Sequence, residues 1–129
     1  MSLPINVRGI TPRILPLAHG TLIANGTEQT LIEYLGVARI FGYLDLQNME
    51  SGDTIVIRYY IKFSENGEWK KYNEEQFSGV QSYPVLYFVP RESYMGIKIT
   101  LQQTEGIFKS FEYNFLKEVA RIFLPGFNV

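Results

Sequence analysis

Between Asp53 and Ser64, Ile55, Ile57, Tyr59, Ile61 and Phe63 share one parity, while Thr54, Arg58, Lys62 and Ser64 share the other with Val56 and Tyr60. An apolar period of two is that of a half-buried β-strand, and Asn66-Gly67 directly after it is the strongest short-range sign of a hairpin turn. The same alternation recurs in Tyr94–Gln103, with Ile97, Ile99 and Leu101 facing in and Lys98, Thr100 and Gln102 facing out. After the turn at Thr104-Glu105-Gly106, Phe111, Tyr113 and Phe115 alternate with Ser110, Glu112 and Asn114. Upstream, Thr21–Ala24 and Thr30–Leu35 flank Asn25-Gly26 as an expected hairpin, and Val37–Leu46 forms a third strand. In that strand Gly42 marks a bulge or a close backbone approach.

Two segments depart from simple alternation, in opposite senses. Trp69–Phe77 is polar on both parities and reads as an edge strand or long loop, since charge keeps a sheet edge from pairing with strangers. Ser82–Val89 is apolar on both: Tyr83, Val85, Tyr87 and Val89 on one side, Leu86 and Phe88 on the other. Such a strand is either central in a covered sheet or buried in a subunit contact. The tail is ambiguous, because Leu116, Val119, Ala120 and Phe123 fit a helical stripe while Val-Ala-Arg-Ile-Phe at 119–123 repeats the strand-like pentapeptide at 37–41. With about eight short strands and no long helix, the expectation is an all-β antiparallel sandwich of jelly-roll or other Greek-key topology.

Residues 1–19 read as an extended N-terminal arm, because Pro4, Pro12 and Pro16 interrupt any ladder, yet the arm is rich in Leu and Ile. Residues 20–117 are the expected sandwich and 118–129 a C-terminal extension. Within 129 residues, 46% hydrophobic and 19% charged, one domain can bury its own core. Cysteine is absent, which removes disulfides and thiolate chemistry, and the net charge of −1 gives no general field toward nucleic acid or anionic membrane. No stretch approaches the roughly 20 apolar residues of a membrane span. The first residues also lack the continuous apolar run of a signal peptide.

Candidate chemistry is sparse. His19 is the only histidine, so imidazole-based triads and His-rich metal sites are excluded, and a structural place at the arm junction is expected. Glu74 and Glu75 are adjacent and should point to opposite faces rather than form a catalytic pair. Glu50 and Asp53 flank a turn and are expected to be solvated there, with no ligand run resembling a calcium loop. Trp69 and Tyr72, on a polar segment, are candidates for a ligand- or sugar-stacking platform; core and interface roles are the alternative for the aromatic residues as a group. Arg8 and Arg13 are the only charges before Glu28, and they offer a minimal contact to nucleic acid phosphates. No cofactor is implied.

The strand count, short turns and apolar arms over this frame resemble the small single jelly-roll capsid and other virion structural proteins of icosahedral viruses, with residues 20–117 as the sandwich. The resemblance implies a non-enzymatic protein that assembles with itself, and with other virion proteins, in the virion or the host cytoplasm. A minor capsid, penton, turret or decoration component would suit so short a chain with so few basic residues in its arm. Subunit contacts are expected from Leu3, Ile5, Val7 and Ile10 in the arm, Leu86 and Phe88 in the doubly apolar strand, and Phe123, Leu124 and Phe127 in the tail. A carbohydrate- or ligand-binding sandwich using Trp69 and Tyr72 is the alternative function.

Overall fold

The computed structural model describes residues 10–122, with side chains over 13–119. Eight strands follow in order: β1 (Ile10–Ile23), β2 (Gln29–Leu35), β3 (Ala38–Asp45), β4 (Thr54–Ile61), β5 (Lys70–Ser78), β6 (Val85–Ser93), β7 (Gly96–Glu105) and β8 (Ser110–Ile122). They form two four-stranded antiparallel sheets, in the orders β1-β8-β3-β6 and β2-β7-β4-β5. β1 pairs with β8, β2 with β7, β3 with β6 and β4 with β5. Those nested pairs describe one long antiparallel ribbon rolled into two sheets, which is the jelly roll.

The alternating residues fill the space between the sheets. Ile55, Ile57 and Tyr59 of β4, Ile97, Ile99 and Leu101 of β7, and Phe111 and Phe115 of β8 are all buried. Phe88 stacks against Phe115 with ring centroids 5.0 Å apart, joining β6 to the same core. The β4 alternation ends sooner than its sequence suggests: the strand stops at Ile61, and Phe63 is exposed in the turn that follows. Asn66-Gly67 lies in the β4–β5 turn as expected, closed by the Gly67 amide donating to the Ser64 carbonyl over 3.1 Å. Gly42 marks a true close approach, because a Cβ there would stand 2.5 Å from the Asn114 carbonyl oxygen and 2.8 Å from the Phe115 Cα.

Three expectations are corrected. Residues 10–19 are not an arm but most of β1, which hydrogen-bonds to β8 along its whole length. Prolines 12 and 16 are tolerated because β1 is an edge strand, with a bulge between Pro16 and Ala18. Likewise 118–122 complete β8, so the helical alternative for the tail is excluded there. The expected hairpin across Asn25-Gly26 does not form, since β1 and β2 lie in different sheets. Asn25 instead makes a local turn, its Oδ1 accepting from the Thr27 amide at 3.0 Å and hydroxyl at 2.7 Å, and the chain crosses over.

Asp53 is the third correction. It is buried, not solvated, and its carboxylate accepts from Lys109 Nζ at 2.9 Å and from the Glu50 amide at 2.9 Å. Burial pushes this carboxyl up, but the Glu50 amide, the Lys109 ammonium and the Ile107 amide outweigh it and hold it below the usual carboxylate range. A Cβ on Gly106 would fall 2.0 Å from Asp53 Oδ1, so the β7–β8 turn must carry glycine to admit the pair. The Asp53 carbonyl also accepts from the Gly79 amide at 2.8 Å, anchoring the chain where it leaves β5 for β6.

Candidate functional site

The outer face of the β1-β8-β3-β6 sheet is built by the residues whose neighbours went inside. In β6 the inward parity is Leu86, half-buried, and Phe88, fully buried; Val85, Tyr87 and Val89 therefore point out, each about half exposed. Register places Tyr87 opposite Tyr43 of β3, Tyr43 opposite Asn114 of β8, and Asn114 opposite His19 of β1. One row thus crosses the whole sheet and turns from polar to aromatic toward β6. The Tyr43 and Tyr87 rings lie 5.2 Å apart at 34°, a tilted aromatic pair across the strands.

Polar groups border this band. At one end Arg39 Nε meets Glu92 Oε2 at 3.0 Å and Arg39 Nη1 meets Glu118 Oε1 at 3.5 Å. Toward β1, a shallow concavity of about 320 Å³ is lined by His19, Tyr43, Asp45, Glu112 and Asn114 among others. His19 is thus an exposed residue on the sheet's outer face.

The other sheet turns a polar network outward. Arg58 donates from Nε to Glu74 Oε1 at 2.9 Å and from Nη1 to Gln102 Oε1 at 2.8 Å, with Glu28 at 3.6 Å. Glu28 also accepts from the Thr100 hydroxyl at 2.5 Å and from the Tyr60 hydroxyl. Burial pushes Glu28 up, but the Thr100 and Tyr60 bonds and the Arg58 charge prevail and hold it ionised to lower pH. Lys71 adds a contact to Glu74 at 3.0 Å; the Lys71 and Arg58 bonds keep Glu74 low, which suits an ion pair rather than a proton donor. Its neighbour Glu75 faces the other way and accepts from the Tyr59 hydroxyl, whose pKa is driven up by burial and by that bond. The two carboxylates are therefore divided between faces, as their adjacency required.

Trp69 and Tyr72 are not brought together as a platform. Trp69 packs over Gly96, where a Cβ would meet its Cη2 at 2.9 Å, and it is flanked by Lys62 and Lys98, each 5.1 Å from its ring. Tyr72 instead packs on Tyr59 of the inner face, with ring centroids 6.1 Å apart. Among the expected contact residues, Phe88 is corrected: it is spent in this chain's own core. Leu86 also faces inward. Leu3, Ile5, Val7, Arg8, Phe123, Leu124 and Phe127, and the Ile10 side chain, lie outside the described residues; Arg13 is exposed on β1. Sequence reasoning passed over Tyr43, and the opposing register of Val37–Leu46 and Ser82–Val89 would have been needed to find its pairing with Tyr87. Among the described residues no group of three His, Cys, Asp or Glu could hold a metal ion, and no helix is long and apolar enough to cross a membrane.

No protein-family model matches the chain, and neither does any curated protein. Among solved structures, the infectious bursal disease virus VP2 subviral particle is similar at 14% identity and a TM-score of 0.46, over 88% of this chain and 33% of that one. The structure of the Gt strain of the same virus is similar at 13% and 0.45, over 88% and 33%. The crystal structure of PirA is similar at 11% and 0.33, over 87% and 93%. The chain spans about a third of the length of the VP2 chains it matches.

Proposed function

We propose that this protein is a non-enzymatic structural protein that self-assembles into a symmetric oligomer, as a shell or other virion component. The supporting observation is the uncovered apolar band formed by Val85, Tyr87 and Val89 of β6 with Tyr43 of β3. None of these side chains belongs to the buried core of the described residues. Contiguous apolar surface rimmed by polar groups is what a protein–protein contact looks like before its partner arrives. The jelly-roll frame holds this band on paired strands, and a surface ordered before association loses little conformational freedom on binding.

The test is mass by light scattering of the purified protein against a Val85→Lys, Val89→Lys variant. A defined oligomer for the natural chain and a monomer for the variant is the expected outcome. A natural chain that stays monomeric at high concentration overturns the proposal. Electron microscopy of the same sample separates rings from shells.

A further inference from the structure

Among the described residues four strand edges border the two sheets, and three are guarded along their length. β1 contains Pro12 and Pro16; β2 is short, with a bulge between Thr30 and Ile32; β5 carries Lys70, Lys71, Glu74 and Glu75. β6 carries its proline and charges, Pro90, Arg91 and Glu92, only beyond Val89. From Val85 to Val89 it holds no charge; its pairing with β3 is regular from Val85 to Phe88, and the irregularity falls at the end of this run, where Val89 and Pro90 stand opposite Phe41. Among the described residues no strand lies beside its outer edge.

The sequence of that edge is Pro84-Val85-Leu86-Tyr87-Phe88-Val89-Pro90, which reads almost the same in both directions about Tyr87. An antiparallel twofold pairing sets each residue against its mirror position, so a strand of this kind is complementary to itself. We infer that two copies pair β6 to β6 about a twofold axis at Tyr87, fusing their outer sheets into one of eight strands. This deepens the self-assembly reading and rests on it, naming the edge, the register and the partner, a second copy of this chain. Val85 then lies opposite the partner's Val89 and Tyr87 opposite the partner's Tyr87.

Side-chain parity and the extent of the uncharged run select this register. A continuous sheet must keep Val85, Tyr87 and Val89 on the outer face in both copies, which excludes shifts that mix faces. Of the remaining registers, only the one centred on Tyr87 pairs the whole uncharged run. It also sets Pro84 opposite the partner's Pro90, so that a proline flanks the paired run at both ends. Tyr43 and Tyr87 of each copy then continue into a row of four tyrosines across the axis. An isologous contact uses the edge completely, so the product is a closed dimer rather than a fibre, and larger assemblies must use other surfaces.

The absence of cysteine makes the register directly readable by disulfide trapping. Paired residues across antiparallel strands stand about 4.5–5.5 Å apart at Cα. Val85 and its own copy would be displaced by four residues, about 13 Å along the strand, beyond the roughly 7 Å that a disulfide can bridge. Under mild oxidation, Tyr87→Cys is expected to give covalent dimer and Val85→Cys alone none. A mixture of Val85→Cys and Val89→Cys chains, which keeps every Tyr87 ring, is expected to give the heterodimer. An oligomer in which Tyr87→Cys and the mixture both fail to cross-link, or in which Val85→Cys cross-links to itself as readily, overturns the edge pairing and leaves self-assembly standing. A monomeric natural chain overturns both.

Discussion

β5 and β6 are the two edges on the same side of the sandwich, joined by residues 79–84, and they are made from opposite materials. β5 is polar on both parities: its outward residues feed the Arg58 network, and Glu75 meets the Tyr59 hydroxyl inside. β6 is apolar on both: Phe88 fills the core, while Val85, Tyr87 and Val89 stand in water. Both strands have one neighbour, the same antiparallel geometry and nine residues. What separates them is therefore not backbone but whether the free edge has been made unattractive. An edge that repels strangers contributes to solubility, whereas one left apolar between two prolines invites a specific partner.

The contrast can be broken most forcefully from inside. Phe88→Ala removes a fully buried ring packed on Phe115 and Tyr59, and should cost about 4 kcal/mol of stability by chemical denaturation. A loss of less than about 1 kcal/mol would mean that β6 is not anchored to the core as described. Next in size is the buried ion pair between the turn before β4 and the β7–β8 turn. Asp53→Asn removes the charge that meets Lys109 while keeping the side chain's shape, and should lower the denaturation midpoint at neutral pH. Because the folded carboxyl is held below its ordinary value of about 3.9, its stabilisation is complete above that value. It is lost as pH falls through the lower folded pKa. The gap between the natural chain and the variant should therefore close on acidification; a gap that widens would contradict the buried ion pair. The smallest change in stability is expected from Lys71→Val with Glu74→Val, which strips the guard from β5. That variant should remain folded by circular dichroism but scatter as larger, heterogeneous species; an unchanged mass would mean that the charges of β5 do not protect it.

Much of the fold was legible because alternation is local. β4, β7 and the first half of β8 announce their inward residues, and the Asn66-Gly67 turn gives the one pairing between chain neighbours that a short loop can impose. Pairing between distant strands leaves no such mark. Asn25-Gly26 has the chemistry of a turn wherever its flanking strands go, so nothing in it distinguishes a hairpin from a crossover between sheets. Pro12 and Pro16 were read as breakers because a proline spoils a central strand; at an edge the missing amide faces outward and costs nothing. The proposed contact surface was half legible for a similar reason. With both parities of Val85–Val89 apolar, only the structure shows that Leu86 and Phe88 are inside and that Tyr43 completes the outer band.

The nested pairing of strands also sets a timetable. The β4–β5 hairpin closes the shortest loop, β3–β6 encloses it, β2–β7 encloses both, and β1–β8 joins Ile10 to Ile122 around everything else. Loop entropy makes each successive closure harder, and a topology dominated by such distant contacts folds in milliseconds to seconds rather than microseconds. Among the described residues β6 has one neighbour, β3, and their pairing is the second of these nested closures.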